Sequence, residues 1–162
     1  MSVELPDAPA LTFEAVGSGK LVKLAELGAT ALLICLTQQT VEQVGEVVNR
    51  VRERFPDNAQ AVIIRVVDLR NVTAATRPLA EATLQANYEK RVSRLERGLS
   101  PVDYVTILAD WAGAVGDALG LKDLENRLGV AVIDRHGFII GADQGNDVAS
   151  AAISLIERAN EA

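Results

Sequence analysis

The 162-residue chain contains one cysteine, Cys35, and one histidine, His136. A single thiol excludes an intramolecular disulfide and any Cys-x-x-Cys redox motif. Together the two residues fall short of the four ligands that a Cys/His zinc site normally uses, so no metal centre of that kind is expected. Positive charge is also scarce: 16 Lys and Arg face 22 Asp and Glu, a net charge of −6, which opposes binding to a phosphate backbone. The basic residues gather between Arg50 and Arg97 with acids interleaved, the pattern of solvated helix faces. Aromatics make up only 4% of the chain. Trp111, Tyr88 and Tyr104 are too scattered for a base-stacking platform and read as packing residues.

Long apolar runs are missing as well. The longest, Ala29 to Leu36, is far short of the roughly 20 residues that span a bilayer. The opening MSVELPDAP carries an acid where a secretory signal needs a positive region and an apolar run. These absences lead to the expectation of a soluble, cytoplasmic protein with no nucleic-acid or membrane partner. No Pro/Gly/Ser stretch is long enough to be a linker and no repeat is visible, so a single domain over residues 1–162 is expected. With 49% hydrophobic residues, a chain of this size can build a core without covalent staples.

What is present is a succession of short strands and helices. Leu5 to Leu27 reads as two extended pieces around the turn Gly17-Ser18-Gly19, and ATALLICL as a strand buried on both faces. Val41, Val44, Val47, Val48 and Val51 recur at helical spacing. Thr40 is the natural N-cap of that helix, and Thr40 with Gln43 forms a T-x-x-Q capping box. AVIIRVVD is a second strand, rich in β-branched residues. A helix from Pro78 to Gly98 is predicted, with Leu84, Tyr88, Val92, Leu95 and Leu99 on one stripe. Ser100-Pro101 stops it, and VDYVTIL is a third strand. Asp110 caps a short helix, WAGAVGDAL, that closes at Gly120. Gly129–Asp134 and Phe138–Ala142 form a hairpin around Arg135-His136-Gly137, and a last helix starts near Asn146 or Asp147. Crossover helices make the middle strands parallel, and the hairpin adds an antiparallel edge. The expected fold class is α/β, with three α/β/α layers, a mixed central sheet and an N-terminal β extension.

This succession resembles the thioredoxin-like superfamily in its peroxiredoxin and redoxin branch, over nearly the whole chain. Ala8-Pro9 with Leu11-Thr12-Phe13 is similar to that branch's entry segment, Gly19 to Leu27 to the element after it, and Ala31 to Leu36 to its central strand. Asp110 to Gly120 and Val130 to Ile139 are similar to its later helix and hairpin. The resemblance implies a nucleophilic cysteine in the first turn of the helix after the central strand, where the helix dipole and nearby cations lower a thiol's pKa. The sequence there is Thr37-Gln38-Gln39-Thr40-Val41-Glu42-Gln43. Thr37 matches the peroxiredoxin threonine, Thr40 stands at the nucleophile position, and Gln43 stands where a thioredoxin carries its second cysteine. Leu128 takes the place of the thioredoxin cis-proline, and Arg127 lies one residue from an arginine that peroxiredoxins often carry. A threonine hydroxyl is not ionised at neutral pH and forms neither sulfenate nor disulfide.

The leading expectation is therefore a redox-inactive thioredoxin-fold protein without a cofactor, serving as a binding or interaction module. Its partner would be a protein, a peptide or a small anion, held by Thr37, Thr40, Gln43, Arg127 and Leu128; a homodimer is compatible with the composition. The first alternative is a thiol-dependent peroxidase or disulfide oxidoreductase using Cys35, although its mid-strand setting reads as core. The second is a flavodoxin-like nucleotide binder, with the loop Thr37 to Thr40 holding phosphate. That loop lacks the glycine needed for close backbone approach. Gly17-Ser18-Gly19-Lys20 is followed by Leu21 rather than Ser or Thr and reads as a hairpin turn, not a P-loop. His136 reads as a solvated turn residue, and Asp68, Asp110 and Asp134 as caps or turn residues.

Overall fold

A computed structural model describes residues 5–161. Two strands open the chain, β1 (Thr12–Glu14) and β2 (Leu21–Lys23), paired antiparallel across the glycine turn. At that turn Gly17 has φ +79°, and a Cβ there would lie 2.1 Å from the Tyr88 ring. Only glycine satisfies both the left-handed backbone and that packing.

The main sheet is built from β3 (Ala31–Leu36), β4 (Val62–Asp68), β5 (Ile107–Asp110), β6 (Gly129–Ile133) and β7 (Ile139–Asp143) in the order β5-β4-β3-β6-β7. β3, β4 and β5 are mutually parallel, and β6 runs antiparallel to both β3 and β7. Every residue of β3 is buried, as a continuous apolar strand between two neighbours should be. The mixed order is not the 2-1-3-4-5 arrangement of flavodoxin-like sheets, so the nucleotide-binding alternative loses its scaffold.

Side chains alternate across this sheet and feed two cores. On one face α1 (Val41–Arg54) and α5 (Val148–Glu161) cover Leu32, Ile34, Leu36, Ile63, Val130 and Val132. On the other, the N-terminal hairpin and α4 (Ala114–Ala118) cover Leu33, Cys35, Ile64, Val66 and Leu108. This is the expected three-layer arrangement. α2 (Arg77–Arg94) lies against the β5 side, where Leu84 is buried with Leu69, Val105 and Ile107. It ends at Arg94, four residues earlier than the sequence pattern implies.

Three local expectations are corrected. Residues 102–106 are not strand: α3 (Pro101–Tyr104) is a single helical turn, its Asp103 and Tyr104 amides bonded to the Ser100 carbonyl, and β5 begins only at Ile107. Pro101 has its φ preset for a first helical turn, and this outweighs the β-like alternation of Val102, Tyr104 and Thr106. The helix after β5 begins at Ala114, not Trp111, although Asp110 does cap it: its two carboxylate oxygens accept the amides of Ala114 at 3.0 Å and Val115 at 2.9 Å. Finally, the capping box at Thr40 does not form: among the described residues α1 has no side-chain cap hydrogen bond at its N-cap.

Candidate functional site

The turn between β3 and α1 sits at the carboxyl end of the parallel strands, the end at which open α/β sheets place ligands. Its geometry explains the missing capping box. The Thr40 hydroxyl turns back and accepts the amide of Thr37 at 3.0 Å, while lying 3.4 Å from the Thr37 carbonyl. The Thr37 hydroxyl donates to the Leu124 carbonyl at 3.2 Å. The amide at the end of β3 needs a buried partner, and the threonine three residues on is the group within reach. Thr37 and Thr40 are consequently buried, at 7% and 1% exposure. Their hydroxyls serve the turn instead of facing solvent.

The remaining expected site residues are distributed around this turn. Gln43 is exposed on the first turn of α1, as are Gln38 and Gln39 before it. Leu128 is buried in the same core as Leu36 and Val44, and no cis peptide bond occurs among the described residues. Arg127 is exposed and donates to the Gln144 carbonyl at 2.7 Å, so its guanidinium is drawn toward the β7 end. The structure thus joins Thr37 to Thr40 by hydrogen bonds and sets Leu128 in the core with Leu36 and Val44. Among the described residues the Gln43 side chain makes no hydrogen bond, and Arg127 is committed to Gln144.

Cys35 lies one strand residue before Leu36, on the opposite face from α1, and is 1% exposed. Burial, reinforced by the charges of Asp110 and Asp68, pushes its thiol up to about 12. It is therefore a neutral S–H at physiological pH. The two carboxylates have structural tasks of their own. Asp68 receives the Arg70 side chain at 2.8 Å and its backbone amide at 3.1 Å, and Arg70 reaches on to Asp117 at 3.0 Å and to the Gly113 carbonyl at 3.0 Å. The hydrogen bonds to Asp68 and Asp117 push the Arg70 guanidinium further up, fixing its charge. Asp134 accepts the amides of His136 at 2.9 Å and Phe138 at 3.0 Å, closing the β6–β7 turn, and His136 is exposed. No group of three or more His, Cys, Asp or Glu among the described residues is placed to hold a metal ion.

Two hollows flank the sheet. The larger, about 570 Å³, lies by the starts of β3 and β4, where Ala31 and Val62 line it. That is the far end of the strands from Thr37, and the charges lining it are paired: Lys20 with Asp103 and Lys23 with Glu26, each at 3.7 Å. The smaller, about 270 Å³, lies between α1 and α2 and is lined by Leu36, Val41, Glu42, Arg65 and Arg91 among others. Arg65 is the residue that sequence reasoning passed over. The visible signal was one arginine in an otherwise apolar strand, Val62 to Val67.

No protein-family model matches the chain, and no curated protein does. Solved structures do. The chain is similar to a putative thioredoxin from Neisseria meningitidis, at 18% identity and TM-score 0.62, over 98% of this chain and 92% of that one. A thiol:disulfide interchange protein of the thioredoxin family from Chlorobium tepidum gives 14% identity and TM-score 0.62, over 98% and 99%. StoA from Bacillus subtilis gives 13% and 0.58, over 91% and 98%. At these identities the likeness establishes a thioredoxin fold. Several such neighbours are thiol:disulfide proteins by name, and this chain has one cysteine.

Proposed function

We propose that this is a redox-inactive, peroxiredoxin-like thioredoxin-fold protein that works in the cytoplasm as a binding or interaction module. The observation that carries the reading is the state of the β3–α1 turn. Where redox members of the fold carry a nucleophilic thiol at the start of the helix, this chain has Thr40, 1% exposed and hydrogen-bonded back to Thr37. The only thiol is across the sheet, buried and pushed up to about 12. A protein, a peptide or a small anion would meet Gln38, Gln39 and Gln43 on the exposed side of the turn, with Arg127 and the backbone around Leu128 at its margin. A second copy of the chain is also a candidate partner; nucleic acid and membrane are not.

The competing reading, a thiol-dependent peroxidase or disulfide oxidoreductase, draws on the structural neighbours. It requires Cys35 to become a thiolate in an apolar core and a second molecule to supply the resolving thiol. Turnover assays decide between them. Hydroperoxide consumption and disulfide reduction, each with excess dithiol reductant, are expected at the no-enzyme rate for wild type. Turnover that is present in wild type and abolished by Cys35→Val would overturn the proposal.

A further inference from the structure

Arg65 occupies the middle of β4, on the same face as Ile63 and Val67, and is 8% exposed. Its Nε is buried with no hydrogen-bond partner. No hydrogen bond or ion pair reaches the guanidinium from any described residue. An uncompensated buried charge is costly, and buried arginines are normally paired. Here the surroundings make matters worse rather than better: burial first, then the charges of Arg91 and Arg52, push the guanidinium down to about 9. At neutral pH it is still charged.

The charged residues that line the 270 Å³ cleft with Arg65 are mostly cationic. Lys90, Arg91 and Arg94 of α2 border it, and Glu42 is the one acid on its wall. None of these side chains makes an ion pair among the described residues. Arg52 nearby is otherwise engaged, donating to the Phe55 and Ala61 carbonyls and to Asn58. Four cations facing one carboxylate, on a chain whose net charge is −6, make this cleft opposite in sign to the molecule as a whole. Its floor is apolar, formed in part by Leu36, Leu84 and Ile107.

The geometry points to this cleft as a binding site for a small organic phosphate, with the phosphoryl group on Arg65 and Arg91 and an apolar body against Leu36 and Leu84. A doubly charged phosphoryl group suits several cations better than a single carboxylate does, and its oxygens match the planar fork of arginine. At about 270 Å³ the cleft falls just below the range of typical ligand pockets, about 300 to 1,000 Å³, so it favours a small molecule over an enclosed peptide. The bound anion supplies the partner that Arg65 lacks. This site goes beyond the module reading, since it uses none of Thr37, Thr40, Gln43 or Arg127. Its failure would leave the turnover result standing, and a positive turnover result would leave it untouched.

The test titrates phenyl phosphate, inorganic phosphate and benzoate into the full chain at matched ionic strength in chloride. Calorimetry and the Arg65 Nε–H resonance are the readouts. Saturable one-to-one binding is expected, with phenyl phosphate at least tenfold tighter than benzoate. Arg65→Met and the more exposed variant Arg91→Gln should each weaken it at least tenfold. Phenyl phosphate should raise the melting temperature of wild type but not of Arg65→Met. Non-saturable binding, equal affinities in wild type and Arg91→Gln, or a preference for benzoate over phenyl phosphate would each overturn the assignment.

Discussion

Replacing Cys35 in a graded series separates a core residue from a working thiol. The side chain is 1% exposed and shares its cluster with Leu33, Ile64, Val66, Leu108 and Val115. Cys35→Ser exchanges a weakly polar sulfur for a hydroxyl in that apolar setting. Asp110 accepts two α4 amides and Asp68 is committed to Arg70, so neither carboxylate is free to compensate fully. A hydroxyl buried without a good partner costs about 1–3 kcal/mol. We expect a loss of about 2 kcal/mol, which for a chain of this length lowers the melting temperature by roughly 4–8 °C. Cys35→Ala deletes one heavy atom and should cost about 1 kcal/mol, in line with small core truncations. Cys35→Val keeps the site apolar and suits a strand but adds one heavy atom to a closed core, and should cost about 1 kcal/mol. Urea denaturation followed by far-ultraviolet circular dichroism measures all three, with m held constant as the check on two-state unfolding. The expected order of stability is wild type, then Val and Ala, then Ser. A serine variant as stable as wild type beside a strongly destabilised valine variant would mean that the thiol sits in a polar, accessible site, and would refute the reasoning.

Three other perturbations follow from named contacts. Thr40→Val removes the acceptor for the buried Thr37 amide and should cost about 1–2 kcal/mol in urea denaturation, whereas Thr40→Ser should be nearly neutral. Gly113→Ala puts a Cβ 2.3 Å from the Arg70 guanidinium at a position with φ +68°. The backbone strain alone is worth about 1–2 kcal/mol, and displacing Arg70 from the buried Asp68 adds to it, so thermal unfolding should show a loss, whereas Gly45→Ala in the open part of α1 should gain up to about 1 kcal/mol. Asp147 is held down to about 2 by hydrogen bonds from Ser150 and then Arg50. Because its pKa is depressed on folding, its contribution is complete above the ordinary value of 3.8 and fades as pH falls toward 2. Carboxyl chemical shifts should place its midpoint near 2 in wild type and higher in Ser150→Ala.

Much of the fold was legible because its signals are redundant. A continuous apolar run marked β3, valines at helical spacing marked α1, and turn residues on both sides of each agreed with them. α3 was misread because Val102, Tyr104 and Thr106 alternate as a strand does, while the decisive constraint was the preset φ of Pro101. At the candidate site, the meeting of Thr37 and Thr40 could be inferred from their spacing and the turn. The direction of the Thr40 hydroxyl could not: it depends on the strand-end amide competing with the helix amides for one acceptor. Arg127 bonds Gln144, 17 residues away, a pairing that no local pattern carries. Arg65 was invisible for a related reason. A strand sequence shows which residues share a face but not that the neighbouring helices leave a gap above one of them.

The most direct measurement is the rate at which the native protein's one thiol reacts with an aromatic disulfide reagent, followed across pH and compared with the urea-unfolded chain. A thiol pushed up to about 12 inside a closed core should react with the native protein far more slowly than with the unfolded one, show no thiolate titration between pH 6 and 9, and become accessible only on unfolding. Rapid modification of the folded protein near neutral pH, with a titration midpoint below the ordinary thiol value of about 8.5, would contradict the account.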